Sequence, residues 1–259
     1  MDLFFRKYGS GQNIIILHGL FGQSDNWIPV ARLLEKNFTV WLPDLRNHGQ
    51  SPHSDEFNYS VIAHDVCQFV SKHNITDFVI VGHSMGGKAA LKISADNICP
   101  VKAQIIIDIA PKQYQVSEYH LNILRCMQNL QLDELKYISN VEKELKRMQF
   151  DDFTINLIIK NLKYVDRKLV FKLNVESIYN NISNIVAPIT ANKPIETKTL
   201  FIKADESDYI KAEDFALIKE NYVKAELRTI ASSDHYVHVR QPIELSGIIS
   251  DWWLVNGGW

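Results

Sequence analysis

Cysteine is scarce in this sequence, and the three that occur, Cys67, Cys99 and Cys126, form no C-x-x-C pair. An odd number at these spacings favours neither a disulfide framework nor a zinc site, so we expect three reduced thiols. The first residues place their charges after a very short apolar patch, which is the reverse of the order in a secretory signal. Both observations favour a cytoplasmic location.

An excess of one charge is also missing, because 28 Lys and Arg stand against 30 Asp and Glu for a net charge of -2. Without a basic cluster interleaved with aromatic residues, nucleic acid is not expected as a partner. The aliphatic runs, such as residues 14–17, are far shorter than the roughly 20 residues of a membrane span, so no span is expected. The spacings of His, Cys and Gly match no metal or nucleotide motif, and we expect no metal and no cofactor.

Short apolar segments alternate with helical patterns through residues 1–111, and the alternation resumes after Pro194, which is typical of βαβ units and a mostly parallel sheet. The Gly9-Ser10-Gly11 turn predicts a hairpin between the first two strands and hence a sheet that is mixed at one edge. The predicted strands are residues 3–8, 14–17, 39–42, 78–81, 104–107, 199–203 and 226–230. The predicted body helices lie near residues 27–35, 60–72, 87–95, 212–221 and 242–254.

Residues 112–195 differ from both flanks, because they favour helix, are rich in Leu, Glu, Lys and Asn, and show no strand alternation. They predict a helical cap, or lid, inserted into one α/β body made of residues 1–111 and 196–259. The cap contains 12 basic and 9 acidic residues, whereas the rest of the chain contains 16 and 21.

Gly82-His83-Ser84-Met85-Gly86 matches G-x-S-x-G and lies between a predicted strand and a predicted helix. A serine in such a tight turn exposes its hydroxyl, and glycines two positions before and after it avoid clashes with the neighbouring chain. The motif therefore predicts Ser84 as a nucleophile. The alternative is a glycine-rich turn with a purely structural role.

A nucleophilic serine needs a base, and in this architecture the histidine follows the last strand. Both His235 and His238 lie there, and His235 is the preferred base because it is nearer the strand end. The alternative is that both are ordinary loop histidines without a catalytic role. An oxyanion hole requires backbone N–H groups, one from Met85 and another from the loop after an early strand. In that loop Leu20 is the preferred donor and Phe21 the alternative, and both are expected to contact the substrate.

Four motifs occur in an order that resembles a known family: H-G-L-F-G at residues 18–22, D-L-R-N-H-G-Q-S-P at 44–52, G-H-S-M-G-G-K at 82–88 and I-D-I-A-P at 107–111. Together they resemble the α/β-hydrolase fold and, more narrowly, the YbfF-type bacterial esterases and their relatives, the animal mitochondrial abhydrolase-domain proteins. The resemblance implies a mostly parallel central sheet flanked by helices. It also implies a serine esterase or thioesterase that acts on a small-molecule acyl ester through an acyl-enzyme, without a cofactor.

The acid of the expected catalytic triad departs from the commonest α/β-hydrolase pattern, G-x-x-D after the strand that follows the insertion. Here Ala204 stands at the glycine position and Ser207 at the acid position, and a serine carries no charge. The resemblance to the YbfF-type enzymes instead implies Asp108, at the end of the strand after the nucleophile helix. Asp208 and Asp205 remain alternatives, with Ser207 as an accessory hydrogen-bond partner of His235.

Three functions remain open at this level. Hydrolysis of a carboxylic ester or thioester leads, and the basic cap hints at an anionic leaving portion such as coenzyme A or a carrier protein. The second is C–C bond hydrolysis or elimination with the same triad, as in the menaquinone-pathway member of the superfamily. The third is a non-catalytic ligand-binding receptor. The apolar cap side chains would either line an acyl pocket or dock the cap on the body: Leu121, Leu124, Phe150, Phe153, Leu157 and Ile158.

Overall fold

A seven-stranded sheet forms the centre of the computed structural model, which describes residues 1–256. Residues 257–259, which the sequence assigns to the body, lie outside the described residues. The sheet order is β1-β3-β2-β4-β5-β8-β9, and every neighbouring pair except β1–β3 is parallel. The strands are β1 (Phe5–Tyr8), β2 (Gln12–Leu17), β3 (Phe38–Pro43), β4 (Phe78–His83), β5 (Ala103–Ile107), β8 (Lys198–Ala204) and β9 (Ala225–Ile230).

The first strand does not form the predicted hairpin with the second. β1 pairs with β3, which lies between β1 and β2, so the prediction of a mixed edge is confirmed but the pairing is wrong. The reason lies in the turn, because Gly9 and Gly11 adopt φ of 68° and 132° and carry the chain across the start of β3. A Cβ atom on Gly9 would stand 2.3 Å from the carbonyl oxygen of Phe38, so only glycine allows this crossing.

Helices cover both faces of the sheet. Side chains alternate along the buried strands, so that Ile14 and Ile16 face one core while Ile15 and Leu17 face the other. One core packs against α1 and α12, and the other against α2 and α3. The helices of the body are α1 (Ile28–Leu34), α2 (Tyr59–Lys72), α3 (Met85–Asp96), α10 (Asp214–Asn221), α11 (Val237–Arg240) and α12 (Pro242–Asn256).

The insertion, residues 112–195, leaves the body after β5 and returns before β8. Its elements are α4 (Glu118–Asn129), α5 (Leu132–Leu135), α6 (Ile138–Arg147), α7 (Asp152–Lys160), β6 (Leu162–Val165), β7 (Lys168–Phe171), α8 (Val175–Asn180) and α9 (Ile182–Val186). Buried insertion residues such as Leu124 and Ile158 join the core that contains α2 and α3. Apolar side chains at helical spacing therefore dock the insertion on the body.

The β6–β7 hairpin corrects the expectation that the insertion contains no strands. Its two-residue turn, Asp166-Arg167, has φ of 48° and 65°, the left-handed pair that matches the twist of a tight hairpin. Such turns usually contain Gly or Asn. Because neither residue is present, this hairpin has no local signature in the sequence.

The cysteines also differ from expectation. Cys67 on α2 and Cys99 after α3 form a disulfide with Cα atoms 5.8 Å apart, whereas Cys126 is free and buried. α2 and α3 pack side by side and bring together two cysteines that lie 32 residues apart in sequence, a contact that spacing does not reveal. Reduced thiols therefore no longer support the cytoplasmic location, which stays a prediction. Within residues 1–256, no helix has the length and apolarity needed to cross a bilayer.

Candidate active site

Ser84 stands in a sharp turn between β4 and α3. Its φ of 52° lies in the left-handed region, and its N–H donates to the carbonyl oxygen of Ile107 on the neighbouring strand at 3.0 Å. A Cβ atom on Gly82 would stand 2.3 Å from the Gly86 oxygen, and one on Gly86 would stand 2.3 Å from the Leu17 oxygen. Both glycines are thus required by the close approach of backbone, as the motif predicts.

Asp108 and His235 meet at the same edge of the sheet. Asp108 follows β5 and is fully buried, and its Oδ2 lies 2.8 Å from Nδ1 of His235. The same carboxylate accepts the Ala204 N–H at 3.1 Å through Oδ1 and the Ser207 hydroxyl through Oδ2. Three donors, two from the end of β8 and the residues just after it and one from the loop after β9, therefore fix the carboxylate and orient the imidazole. Ser207 was expected to bond to His235, but its hydroxyl bonds to Asp108 instead.

The two alternative carboxylates lie elsewhere. Asp205 accepts the N–H of Ser233 at 3.1 Å, and the backbone N–H groups of Ser233 and Ser232 lower its pKa. Asp208 lines a cavity together with Tyr209. In the described part of the chain, neither side chain hydrogen-bonds to the ring of His235.

Two further residues hold His235, and sequence reasoning missed both. The ring of Tyr209 stacks on its imidazole, with ring centres 3.9 Å apart and planes inclined by 16°. Nε2 of His83 donates to the backbone carbonyl of His235 at 2.7 Å. Burial holds the pKa of His83 well below its ordinary value, so this ring is neutral. The residue between Gly82 and Ser84 in the motif thus reaches the histidine loop, a contact that only the fold creates.

Ser84 and His235 line the same cleft, together with Leu157 and Tyr236. The Ser84 hydroxyl makes no hydrogen bond to any of residues 1–256. Catalytic hydrogen bonds are often loose without substrate and tighten when it binds, so the open arrangement is compatible with proton transfer. Of the six apolar insertion residues singled out from the sequence, Leu157 lines this cleft, while Leu124 and Ile158 are fully buried.

The candidate oxyanion donors flank Ser84. Met85 is the first residue of α3, so its N–H has no acceptor within the helix. Leu20 lines two cavities, and Ser84 lines both of them as well. Phe21, in contrast, has φ of 62°, is buried against the ring of His120, and is absent from the walls of either cavity. The geometry therefore does not support its expected contact with substrate, because its left-handed turn directs the ring into the core.

Two cavities meet at Ser84. The larger, of about 240 Å³, is mostly apolar, and two of its polar groups, the Tyr59 and Tyr114 hydroxyls, donate to backbone carbonyls at 2.7 Å. The smaller, of about 40 Å³, contains His235. His120 of the insertion lines both. The larger cavity is lined by Leu20, Tyr59, Ser84, Met85, Ile109, Tyr114, Gln115, Ser117, His120, Ile182, Ile185, Val186, Asp208 and Tyr209.

The other histidines near the cleft are neutral, His18 and His238 being buried and His120 half-buried. Burial lowers the pKa of His18 and His120 to about 4, and that of His238 to about 3. His238 stacks on Trp27 with ring centres 4.5 Å apart, which fits a supporting role. Residues 1–256 contain no group of three His, Cys, Asp or Glu side chains that could hold a metal ion.

The sheet order, the strained serine and the Asp–His pair define an enzyme with the α/β-hydrolase fold. Residues 12–135 match the family model for that fold. A marine microorganism esterase of known structure superposes with a TM-score of 0.92 and 38% identity, over 96% of this chain and 98% of the other. A Haemophilus influenzae protein assigned as an esterase/lipase is 34% identical, over 88% of this chain and 78% of its own.

Two more distant relatives match the resemblance seen in the motifs. Esterase YbfF of Escherichia coli is 27% identical over 88% of each chain. The sn-1-specific diacylglycerol lipase ABHD11 of Danio rerio is 28% identical over 96% of this chain and 80% of its own. The chain belongs to the α/β-hydrolase family and is a carboxylic ester hydrolase.

Proposed function

We propose that the protein hydrolyses carboxylic esters of small molecules through a Ser84–His235–Asp108 triad and an acyl-enzyme intermediate. The observation that carries this proposal is the 2.8 Å contact between a fully buried carboxylate and His235, on the same cleft as the strained Ser84. A carboxylate on Nδ1 keeps the other ring nitrogen, Nε2, free to accept a proton. It also stabilises the imidazolium that forms.

The reaction then has two halves. His235 takes the Ser84 proton as the serine oxygen attacks the acyl carbon, and the backbone N–H groups of Leu20 and Met85 bind the oxyanion. Collapse of the tetrahedral intermediate expels the leaving oxygen, which receives the proton from His235 and departs as an alcohol. His235 next deprotonates a water molecule, which attacks the acyl-enzyme and releases the acid and free Ser84.

Proton transfer also orients the substrate. The leaving oxygen must lie within hydrogen-bond reach of His235, so the leaving group occupies the 40 Å³ side of the cleft that contains this histidine. The acyl chain is then left with the 240 Å³ apolar cavity on the other side of Ser84. The site therefore favours an apolar acyl group, joined to a leaving group that is small or extends into solvent.

The basic insertion gives little support to a coenzyme A or carrier-protein thioester. Several of its cations pair with acidic neighbours on the same insertion, as Lys146 does with Glu142 and Arg147 with Glu144. Among the described residues, the walls of both cavities include no Lys or Arg, and the larger includes Asp208. The names of the relatives, esterase and lipase, favour an oxygen ester in the same way.

The test is labelling of Ser84 with a fluorophosphonate probe, beside turnover of p-nitrophenyl esters of increasing acyl length. Ser84→Ala should abolish labelling and lower kcat by at least about 10⁴-fold, while Ser71→Ala, at an exposed serine of α2, should leave both unchanged. If the probe does not label Ser84 in the wild-type protein, the proposal is contradicted. Labelling without ester turnover would instead favour C–C bond hydrolysis or elimination.

A further inference from the structure

Lys88 is a buried cation that the proposed chemistry does not use. It lies one turn after Ser84 on α3 and is only 1% exposed. Its Nζ donates to the carbonyl oxygens of Lys112 at 2.9 Å, Val186 at 3.3 Å and Ala187 at 2.6 Å. An ammonium group has three N–H donors, so this one is fully satisfied by backbone.

One carbonyl belongs to the segment where the chain enters the insertion, and the other two belong to the end of α9 and the residue after it. We call these segments, residues 111–114 and 186–189, the neck. Two backbone hydrogen bonds join them, from the Tyr114 N–H to the Val186 oxygen at 2.9 Å and from the Ile189 N–H to the Pro111 oxygen at 2.7 Å. Lys88 adds the contact that ties both segments to the helix beginning beside the nucleophile.

Burying the charged ammonium group of Lys88 costs desolvation free energy, which a purely structural contact would not require. Burial lowers its pKa to about 7, and its Nζ makes no ion pair with a carboxylate in residues 1–256. Its other neighbours are the rings of Tyr114, 4.7 Å away, and Tyr59, 5.8 Å away. A side chain of similar volume without charge, such as methionine, would fill the space without the cost of desolvating an ion.

The neck also forms a wall of the larger cavity. Val186 of the neck lines that cavity beside Ile185, and so do the two tyrosine rings that face the ammonium. Any shift of the neck along α3 would therefore change the space between Ser84 and the far wall. We propose that Lys88 is a positioning residue for acyl specificity, which fixes the neck against α3 and so sets the depth of the cavity. This inference rests on the proposed function, in which that cavity takes the acyl chain.

The experiment compares Lys88→Met with Lys92→Met, one turn further along the same helix, where the lysine pairs with Asp96 at the surface. Kinetics with p-nitrophenyl acetate and octanoate should show the octanoate-to-acetate ratio of kcat/KM falling at least fivefold in Lys88→Met, mainly through KM for octanoate. Fluorophosphonate labelling of Ser84 should stay within twofold of wild type. Amide exchange at Tyr114 and Ile189 should be at least tenfold faster than in Lys92→Met.

An unchanged ratio with unchanged exchange would overturn the proposal. Equal losses for both esters together with lost labelling would also overturn it, because they indicate general damage rather than a change of specificity. If Lys88→Met does not fold, Lys88→Gln, which retains a shorter donor, tests the same ratio and the same amides. If wild type hydrolyses no ester, the proposed function fails, while exchange at the two amides still tests whether Lys88 holds the neck.

Discussion

The body and the insertion contribute to the cleft in different ways. Ser84, Asp108 and His235 all stand on body loops at the carboxyl ends of strands, and the first two are held in left-handed conformations with φ of 52° and 48°. Their N–H groups donate to the neighbouring strand, Ser84 to Ile107 and Asp108 to Ile202. Strained backbone of this kind persists only where the surrounding structure over-determines it.

The insertion supplies side chains that line the two cavities, and it supplies none of the proposed reacting groups. Ile182, Ile185 and Val186 close the larger cavity, and His120 stands between the two cavities. These side chains lie on helices that are docked by apolar packing and by the neck, and none of the four residues has a left-handed φ of its own. Substitutions of the reacting groups of the body are therefore expected to change the rate for all substrates, whereas substitutions in the insertion, or at Lys88, which holds the neck, are expected to change the choice among them.

The largest effect that separates the regions is expected at Asp108. Asp108→Asn keeps the shape of the side chain but no longer holds His235 in the productive tautomer, so kcat should fall by about 10⁴-fold for short and long esters alike. Asp208→Asn, at a carboxylate on the cavity wall, should change kcat by less than threefold. Steady-state kinetics with p-nitrophenyl acetate and octanoate measure both. A larger loss in Asp208→Asn would show that the acid is misassigned.

Acid should destabilise the body more than the insertion. Four buried body histidines have lowered pKa values, about 4 for His18, about 3 for His48 and His238, and well below normal for His83, whereas the insertion has one histidine, His120. Between these values and the ordinary 6.5, the unfolded chain binds protons that the folded chain does not. Lowering the pH therefore favours unfolding, and each such histidine is expected to remove about 2 kcal/mol of unfolding free energy between pH 7 and pH 5.

Urea unfolding followed by tryptophan fluorescence at pH 7, 6 and 5 measures this loss. His48→Asn should flatten the pH dependence by about a quarter, because one of the four body groups no longer takes up a proton. His64→Gln, at an exposed position of α2, should leave the slope unchanged. An unfolding free energy that is constant from pH 7 to pH 5 would contradict the assignment of neutral buried rings.

The contrast between regions also explains what could be predicted from the sequence. Ser84 could be predicted as the nucleophile because a strand, a tight turn and a helix leave a local pattern, whereas Asp108 was predicted only from the resemblance to the YbfF-type enzymes. The β1–β3 pairing and the Cys67–Cys99 disulfide depend on contacts between distant segments, which no local pattern encodes. Tyr209 and Lys88 were missed for the same reason, since Tyr209 stacks on His235 from a different loop of the body and Lys88 bonds to carbonyls of the insertion.

The smallest effect is expected within the insertion, at Ile182. Its half-buried side chain lines the larger cavity, so Ile182→Trp should fill part of the 240 Å³ that the proposed function assigns to the acyl chain. Misfit of a few methylenes in a closed apolar pocket costs roughly 10- to 100-fold in kcat/KM, so octanoate should suffer that loss while acetate stays within threefold. Ile159→Trp, at a half-buried insertion residue outside both cavities, is the control. Equal loss for both esters would show that the insertion acts on the reacting groups. The body would then not be the only region that determines the reaction rate, and the proposed division between body and insertion would be wrong.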